Sequence, residues 1–285
     1  MKPTRLAKGF LASALCLTLV CIPWASALDP SPIVILPNEP IEFTDEVSPE
    51  PENLVVTPQE EEAPQAENAA DKDFIAPEEI QTLPWSIEDF VTKYPQAISF
   101  ANNYFRYKDN TSPIDISVDL EEEGIPLFIQ WDPRWGYRTY GSDFMGITGC
   151  GPTCLSMVVC GLTGNKEANP YAVACWSYDN GHYVYGQGTA WSLMTAGASH
   201  YGLCSEGISV SESSVLSSLR AGHPVITSVG PGIFTYFGHF ILLTGLDENG
   251  KILVNDPNNP ENSFTSWEPS TIISQAKAMW SFWVP

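Results

Sequence analysis

The chain has 285 residues, 44% of them hydrophobic and 12% aromatic, enough for one substantial core or two small ones. A formal charge of -21 excludes nucleic acid as a natural partner and disfavours direct attraction to anionic lipid. That charge is uneven: from Asp29 to Glu79 there are 15 acidic residues and one lysine.

Residues 1–27 read as a secretory signal. Lys2, Arg5 and Lys8 form a basic start, residues 10–22 an apolar run, and Ala25-Ser26-Ala27 a small-residue cleavage site. The apolar run is short for a membrane span of about 20 residues, so cleavage and secretion are expected; an uncleaved anchor is the alternative. No later segment has the length and hydropathy to span a bilayer. Residues 28–84 read as a disordered acidic linker, rich in Pro, Glu and Ala and without apolar periodicity. Such a segment buries too little surface to offset its ordering entropy. Its expected role is a tether, with a processed pro-segment as the alternative.

Order is expected from Trp85, in an extension spanning 85–123. Ser86 and Asp89 resemble a capping box ahead of Ile87, Phe90 and Val91. Pro95 ends or restarts that helix, and Ile98, Ala101, Tyr104 and Phe105 mark the face of a second piece. Ile114, Ile116, Val118 and Leu120 alternate, which predicts a half-buried strand.

The main domain is expected over 124–285. A short strand at 125–130 runs into an aromatic turn at 131–136. Then comes Thr148-Gly-Cys-Gly-Pro-Thr-Cys-Leu-Ser-Met-Val-Val-Cys160, with Cys150 between two glycines at a helix start. Pro152 suits the first helical position, the apolar residues recur at helical spacing, and Gly161 is the expected stop. A cysteine there faces unpaired N–H groups and the positive end of the helix dipole, and both favour thiolate. The flanking Gly149 and Gly151 leave room for a substrate backbone. Cys150 is therefore the candidate nucleophile.

Further helices are expected at 170–178, at 190–200 with Thr189 as cap and Gly202 as stop, and at 211–220. Strands come next at 224–229, 239–246 and 251–255, then a helix at 269–278 and a strand at 280–284. Asp247-Glu-Asn-Gly250 is the turn of a hairpin between the second and third of the strands. Helices first and an antiparallel sheet after them predict an α+β fold.

The hairpin supplies the rest of the candidate site. It brings His239, at the start of one strand, to the same sheet end as Asp256, just past the other. A histidine beside a carboxylate is a base with its orienter, and Asn255 is the alternative orienter. Small residues around His239, Gly238 among them, permit close approach. His223 reads as a surface turn residue, and His182 and His200 have no evident orienter. The four histidines lack zinc-ligand spacing, so no metal is expected. Five cysteines lie beyond the signal, an odd number that leaves one thiol free. The other four read as bridging or packing residues.

Gln130-Trp-Asp-Pro-Arg-Trp-Gly-Tyr137, Gly149-Cys-Gly-Pro-Thr153, Gly188-Thr-Ala-Trp191, Gly222-His-Pro-Val225, Gly238-His-Phe240 and Asn255-Asp-Pro257 together resemble the C39-like, papain-like cysteine peptidases of bacteria. The resemblance runs from about Ile125 to Trp283, and residues 85–120 have no counterpart in it. It implies a papain-like fold, with a nucleophile helix packed on an antiparallel sheet that carries His and Asp. It implies Cys150 as nucleophile, His239 as base and acid, and Asp256 as orienter. It adds Gln130 as an oxyanion donor beside the Cys150 N–H, although the gap from Gln130 to Cys150 is longer than in papain-like enzymes generally. No organic cofactor is implied. The expected partner is a peptide or protein substrate, cell-wall peptide being one source.

A non-catalytic peptide- or wall-binding module on the same fold is the competing function, with Trp131, Trp135, Tyr137 and Trp191 supplying contacts. A thiol-dependent transpeptidase is a third. The acidic mature chain, 10 basic against 34 acidic residues, predicts that the site disfavours anionic peptides.

Overall fold

A computed structural model describes residues 82–285. The expected signal at 1–27, and the linker up to residue 81, lie outside the described residues.

Helix α1 spans Trp85–Lys93 and buries Ile87 and Phe90. The capping box does not form. Pro84 occupies the N-cap, Ser86 Oγ donates to Asp143 Oδ1 at 3.0 Å, and Asp89 pairs with Lys93 at 2.7 Å. Pro95 restarts the chain as a 3₁₀ turn, Pro95–Ala97, and a short helical piece comes after it at Ile98–Asn102. The buried face is Ala97, Phe100 and Ala101, while Ile98 and Phe105 are exposed. Ala101 of the expected face is thus buried and Tyr104 packs on the same core, whereas Phe100 takes the place expected of Ile98 once the tighter 3₁₀ turn has shifted the helical phase. The strand expected over 114–120 is also absent. Asp115 Oδ1 accepts the Ser117 N–H at 2.8 Å, a local turn that competes with any ladder, and a 3₁₀ turn takes over at Val118–Leu120. Ile116 alone of the four alternating residues is fully buried.

Residues 125–130 are not a strand either. Their backbone groups find single partners: Phe128 N–H meets Met157 Sδ at 3.2 Å, Pro126 C=O accepts from Asn255 Nδ2 at 3.0 Å, and Gln130 N–H donates to Pro257 C=O at 2.8 Å. Helix α2, Cys150–Thr163, buries every residue from Gly151 to Cys160. It runs past Gly161 and stops at Gly164, which is left-handed with φ 68°. Gly161 serves close approach instead, because a Cβ there would sit 2.8 Å from Ile125 Cα.

Helix α3 is Pro170–Asp179, with Asn169 capping the Ala172 N–H at 3.0 Å. Helix α4 is Leu193–His200, later than expected. Thr189 is no cap: it belongs to a two-residue strand, Gly188–Thr189, paired with Tyr183–Val184. Helix α5, Glu212–Arg220, is capped by Ser211, whose Oγ accepts the Ser214 N–H. Helix α6 is Pro269–Gln275, cut short because Ala276 already turns extended.

Six strands make the main sheet: β1 Cys204–Ile208, β2 Val225–Val229, β3 His239–Leu246, β4 Ile252–Asn255, β5 Ser266–Trp267 and β6 Ala276–Trp283. Their order is β1-β6-β2-β3-β4-β5, every pair antiparallel. Sequence periodicity missed β1 and β5, which are short or lack a clear apolar alternation. Side chains of the central strands alternate between two cores. Ile226, Phe240, Leu242 and Phe282 pack with α2, whereas Val225, Ile241, Leu243 and Val254 pack with Val215 and Leu219 of α5 and Ile272 of α6. Each such buried side chain stabilises by about 1.5–3 kcal/mol, which fixes the register of β3 against a one-residue slip. The molecule is thus a mixed helix and sheet fold in which α2 lies on β3.

Candidate active site

Cys150 is the first residue of α2, and a helical turn, Met145–Thr148, leads into it through Gly149. The two glycines do not make room for substrate as expected. A Cβ on Gly149 would lie 2.3 Å from Met145 Sδ, and one on Gly151 would lie 2.7 Å from Thr189 Cβ. They admit the protein's own neighbours, and these neighbours seat the helix start. The first-turn N–H groups of α2 have no acceptor within the helix, so its positive end is presented at the half-buried Cys150.

His239 opens β3 opposite Val229. Leu242 pairs with Asn255, so Asp256 falls opposite Ile241, on the same face as His239 and diagonal to it. His239 Nε2 and Asp256 Oδ1 are 2.8 Å apart. Asn255 turns away and spends its amide on Pro126 C=O. The Asp256 carboxylate is fully buried and well supported. Oδ1 also accepts the Asn258 N–H at 2.9 Å and the Asn259 N–H at 3.2 Å, and Oδ2 accepts Asn262 Nδ2 at 2.7 Å. Burial works against a charged His239 ring. The Asp256 carboxylate works for it and wins, with Cys150 adding to the effect, and the pKa is raised from 6.5 to about 10.

Cys150 and His239 line one cleft of about 540 Å³. A thiol, an imidazole and a buried carboxylate in that sequence can hold a thiolate–imidazolium pair. The cleft draws Val184, Gln187, Thr189 and Trp191 from the helical half, and Ser228, Phe237 and Gly238 from the sheet half. Of the four residues expected to contact substrate, Trp191 and Gly238 line the cleft. Trp131 and Gly149 do not. The indole of Trp131 donates to Asn258 C=O at 3.3 Å outside the cleft, and Gly149 is buried under Met145. Val184, Gln187, Ser228 and Phe237 escaped sequence reading. The one available signal was Thr227-Ser228, a polar pair in a buried strand.

Gln130 is buried and absent from the cleft lining. Its Nε2 donates to Gly146 C=O at 2.8 Å, with Ile147 C=O at 3.4 Å, and its Oε1 has no partner. It anchors the turn that delivers Cys150.

The other four cysteines among the described residues are all free, so the bridges considered for them are not present. Burial pushes the Cys154 thiol well above its ordinary value and that of Cys160 to about 12, which makes both inert. His182 and His200 stack on Trp176, and His223 stacks on Trp283.

Residues 122–281 match the Peptidase_C39 like family. The chain belongs to that family. Among solved structures, this C39-like chain is similar to the peptidase domain of Streptococcus ComA, described as a bi-functional ABC transporter involved in a quorum sensing pathway. Identity is 19%, the TM-score 0.39, and the match covers 48% of this chain and 93% of that one. No curated protein matches.

Proposed function

We propose that the protein is a papain-like cysteine peptidase or amide hydrolase acting through Cys150, His239 and Asp256. The observation that carries this is the 2.8 Å His239 Nε2–Asp256 Oδ1 contact beside a cysteine at a helix N-terminus in an open cleft. With Nε2 committed to Asp256, the ring keeps Nδ1 for the thiol. Cys150 Sγ, as thiolate, attacks the scissile carbonyl carbon. The oxyanion is met by the Cys150 N–H, since Gln130 Nε2 is turned to Gly146 and Ile147. His239 passes its proton to the leaving nitrogen as the C–N bond breaks, leaving a thioester. Water then attacks, giving its proton to His239, and the C–S bond breaks to return the thiolate and release the acid. Export through the 1–27 signal would place this activity outside the cell, on peptide or protein substrates.

Thiol reactivity tests the reading. Iodoacetamide is expected to label Cys150 rapidly near pH ~6, where an ordinary thiol is protonated, and His239→Ala is expected to slow it. Mass-spectrometric mapping distinguishes Cys150 from the exposed Cys175. Slow labelling of Cys150 with ordinary pH dependence defeats the proposal. Adding an amine acceptor separates hydrolysis from transpeptidation, which would yield a ligated product.

A further inference from the structure

Apart from Cys150 and His239, nothing that lines the cleft ionises. Two large, well-exposed aromatic side chains line it, Trp191 at 49% exposure and Phe237 at 65%. Neither is loose. The Trp191 ring edges onto Trp280 with centroids 5.7 Å apart, and Trp280 is itself buried. Phe237 is held from outside the family match. Lys93 Nζ lies 5.2 Å from its ring centroid, and that ammonium is already paired with Asp89 at 2.7 Å. Next to it, Tyr94 sets its ring 5.8 Å from Tyr236 and its hydroxyl 3.1 Å from Thr235 Oγ1. Thr235 Oγ1 in turn accepts the Phe237 N–H at 3.2 Å. Lys93 and Tyr94 lie ahead of residue 122, where the family match begins.

A charged peptide side chain entering this cleft loses water and meets no charged group beyond the Cys150–His239 pair, whose charges are already engaged with each other and with Asp256. An apolar one covers aromatic surface that the protein leaves wet. We propose that the cleft takes an uncharged peptide segment whose apolar or aromatic side chain packs on the exposed rings of Trp191 and Phe237, and that Lys93 and Tyr94 hold the Phe237 wall as positioning residues. The proposal deepens the peptidase reading by naming its substrate class, and it rests on that reading for the cleft's use but not for the chemistry.

The test is therefore made on binding, in the full-length chain with Cys150→Ala. End-blocked peptides identical except for one position (Phe, Leu, Asp or Lys) are titrated by fluorescence anisotropy. The Phe and Leu peptides are expected to bind at least about tenfold tighter than the Asp and Lys peptides. Adding Trp191→Ala or Phe237→Ala, both at exposed positions, is expected to remove about tenfold from the apolar peptides and nothing from the charged ones. Tyr94→Ala is expected to do the same in part, and Tyr94→Phe, which keeps the ring, to restore most of it. Equal binding of charged and apolar peptides, or no binding of any, overturns the substrate class. A preference untouched by Tyr94→Ala overturns the role of the extension. Turnover by the unaltered protein is scored separately. Selective binding without cleavage defeats the peptidase reading and leaves this one standing, while cleavage without side-chain preference does the reverse.

Discussion

Cys150 and His239 reach one cleft from two halves of the molecule that hold them by different means. The cysteine side is held by packing. Gly149 and Gly151 let Met145 and Thr189 close on the helix start, and α2 is buried along ten consecutive residues. The histidine side is held by hydrogen bonds and register: the β3–β4 pairing sets the diagonal, and four donors converge on Asp256. Packing tolerates loss of a polar group at its edge, but a buried carboxylate tolerates the loss of none of its partners. The two sides should therefore fail differently when altered.

The largest effects test that asymmetry. Cys150→Ala and His239→Ala are both expected to abolish turnover, by about 10⁴-fold or more on any peptide pool that the protein cleaves. Their stabilities should part company. Cys150→Ala removes one half-buried sulfur and should change the unfolding free energy by about 0.5 kcal/mol or less. His239→Ala leaves the buried Asp256 charge without its ring partner and should cost about 3–5 kcal/mol. Chemical denaturation of the two variants side by side is the measurement. Equal losses would mean that the halves are not held differently.

Asp256 offers the next contrast. Asp256→Ala orphans the buried Asn258 N–H and His239, at about 1–3 kcal/mol each, and frees the half-buried Asn259 N–H and Asn262 amide, so it should destabilise the chain by several kcal/mol. Asp256→Asn keeps an acceptor for some of these donors. It should fold, while losing about 10²–10⁴-fold in turnover because the amide cannot support an imidazolium. If Asp256→Asn retained full turnover, Asp256 would be a structural strut and not an orienter.

The pH dependence of stability separates the halves a third way. The His239 pKa is raised from 6.5 to about 10 in the folded chain, so folding favours the protonated ring. The stabilisation is complete below the unfolded value near 6.5 and is lost as pH rises through the folded value near 10. The melting temperature should therefore fall progressively between about pH 6.5 and pH 10, and His239→Phe should flatten that slope. Cys150→Ala should retain most of it, since Asp256 contributes more than Cys150 to holding the proton.

The two halves also differed in how far their sequence announced them. Cys150 at a helix start was legible because glycine, proline and helical periodicity are local signals. His239 and Asp256 were legible because a hairpin turn at Asp247–Gly250 ties two strand ends by counting. Features that depend on tertiary packing were not. Gln130 was expected at the site, yet its Nε2 anchors Gly146, a contact no spacing encodes. The 114–120 alternation looked like a strand, yet with an Asp115 turn and no neighbouring edge it could not pair. The contact of Lys93 and Tyr94 with the 235–237 loop joins segments some 140 residues apart in sequence, and nothing local marks it.

The smallest expected effect is the sharpest on the packing side. Gly151 is buried, and a Cβ there would lie 2.7 Å from both Cβ and Cγ2 of Thr189 and 2.8 Å from its Oγ1. Thr189 is itself fixed, with its hydroxyl 3.1 Å from Tyr140 Oη, so it cannot simply swing aside. Gly151→Ala should therefore cost about 1–3 kcal/mol by overpacking. The cost should come with a functional loss, because Thr189 lines the cleft next to Cys150. Displacing it moves the wall and disturbs the helix start that presents the thiol. Turnover should fall while the His239-dependent pH slope of stability stays intact, since the β3–β4 side is not touched. Pairing Gly151→Ala with Thr189→Gly removes the clashing Cβ, and the double variant should recover stability relative to the two single losses added together. Additive losses would show that the room Gly151 leaves to Thr189 is not what the helix start depends on.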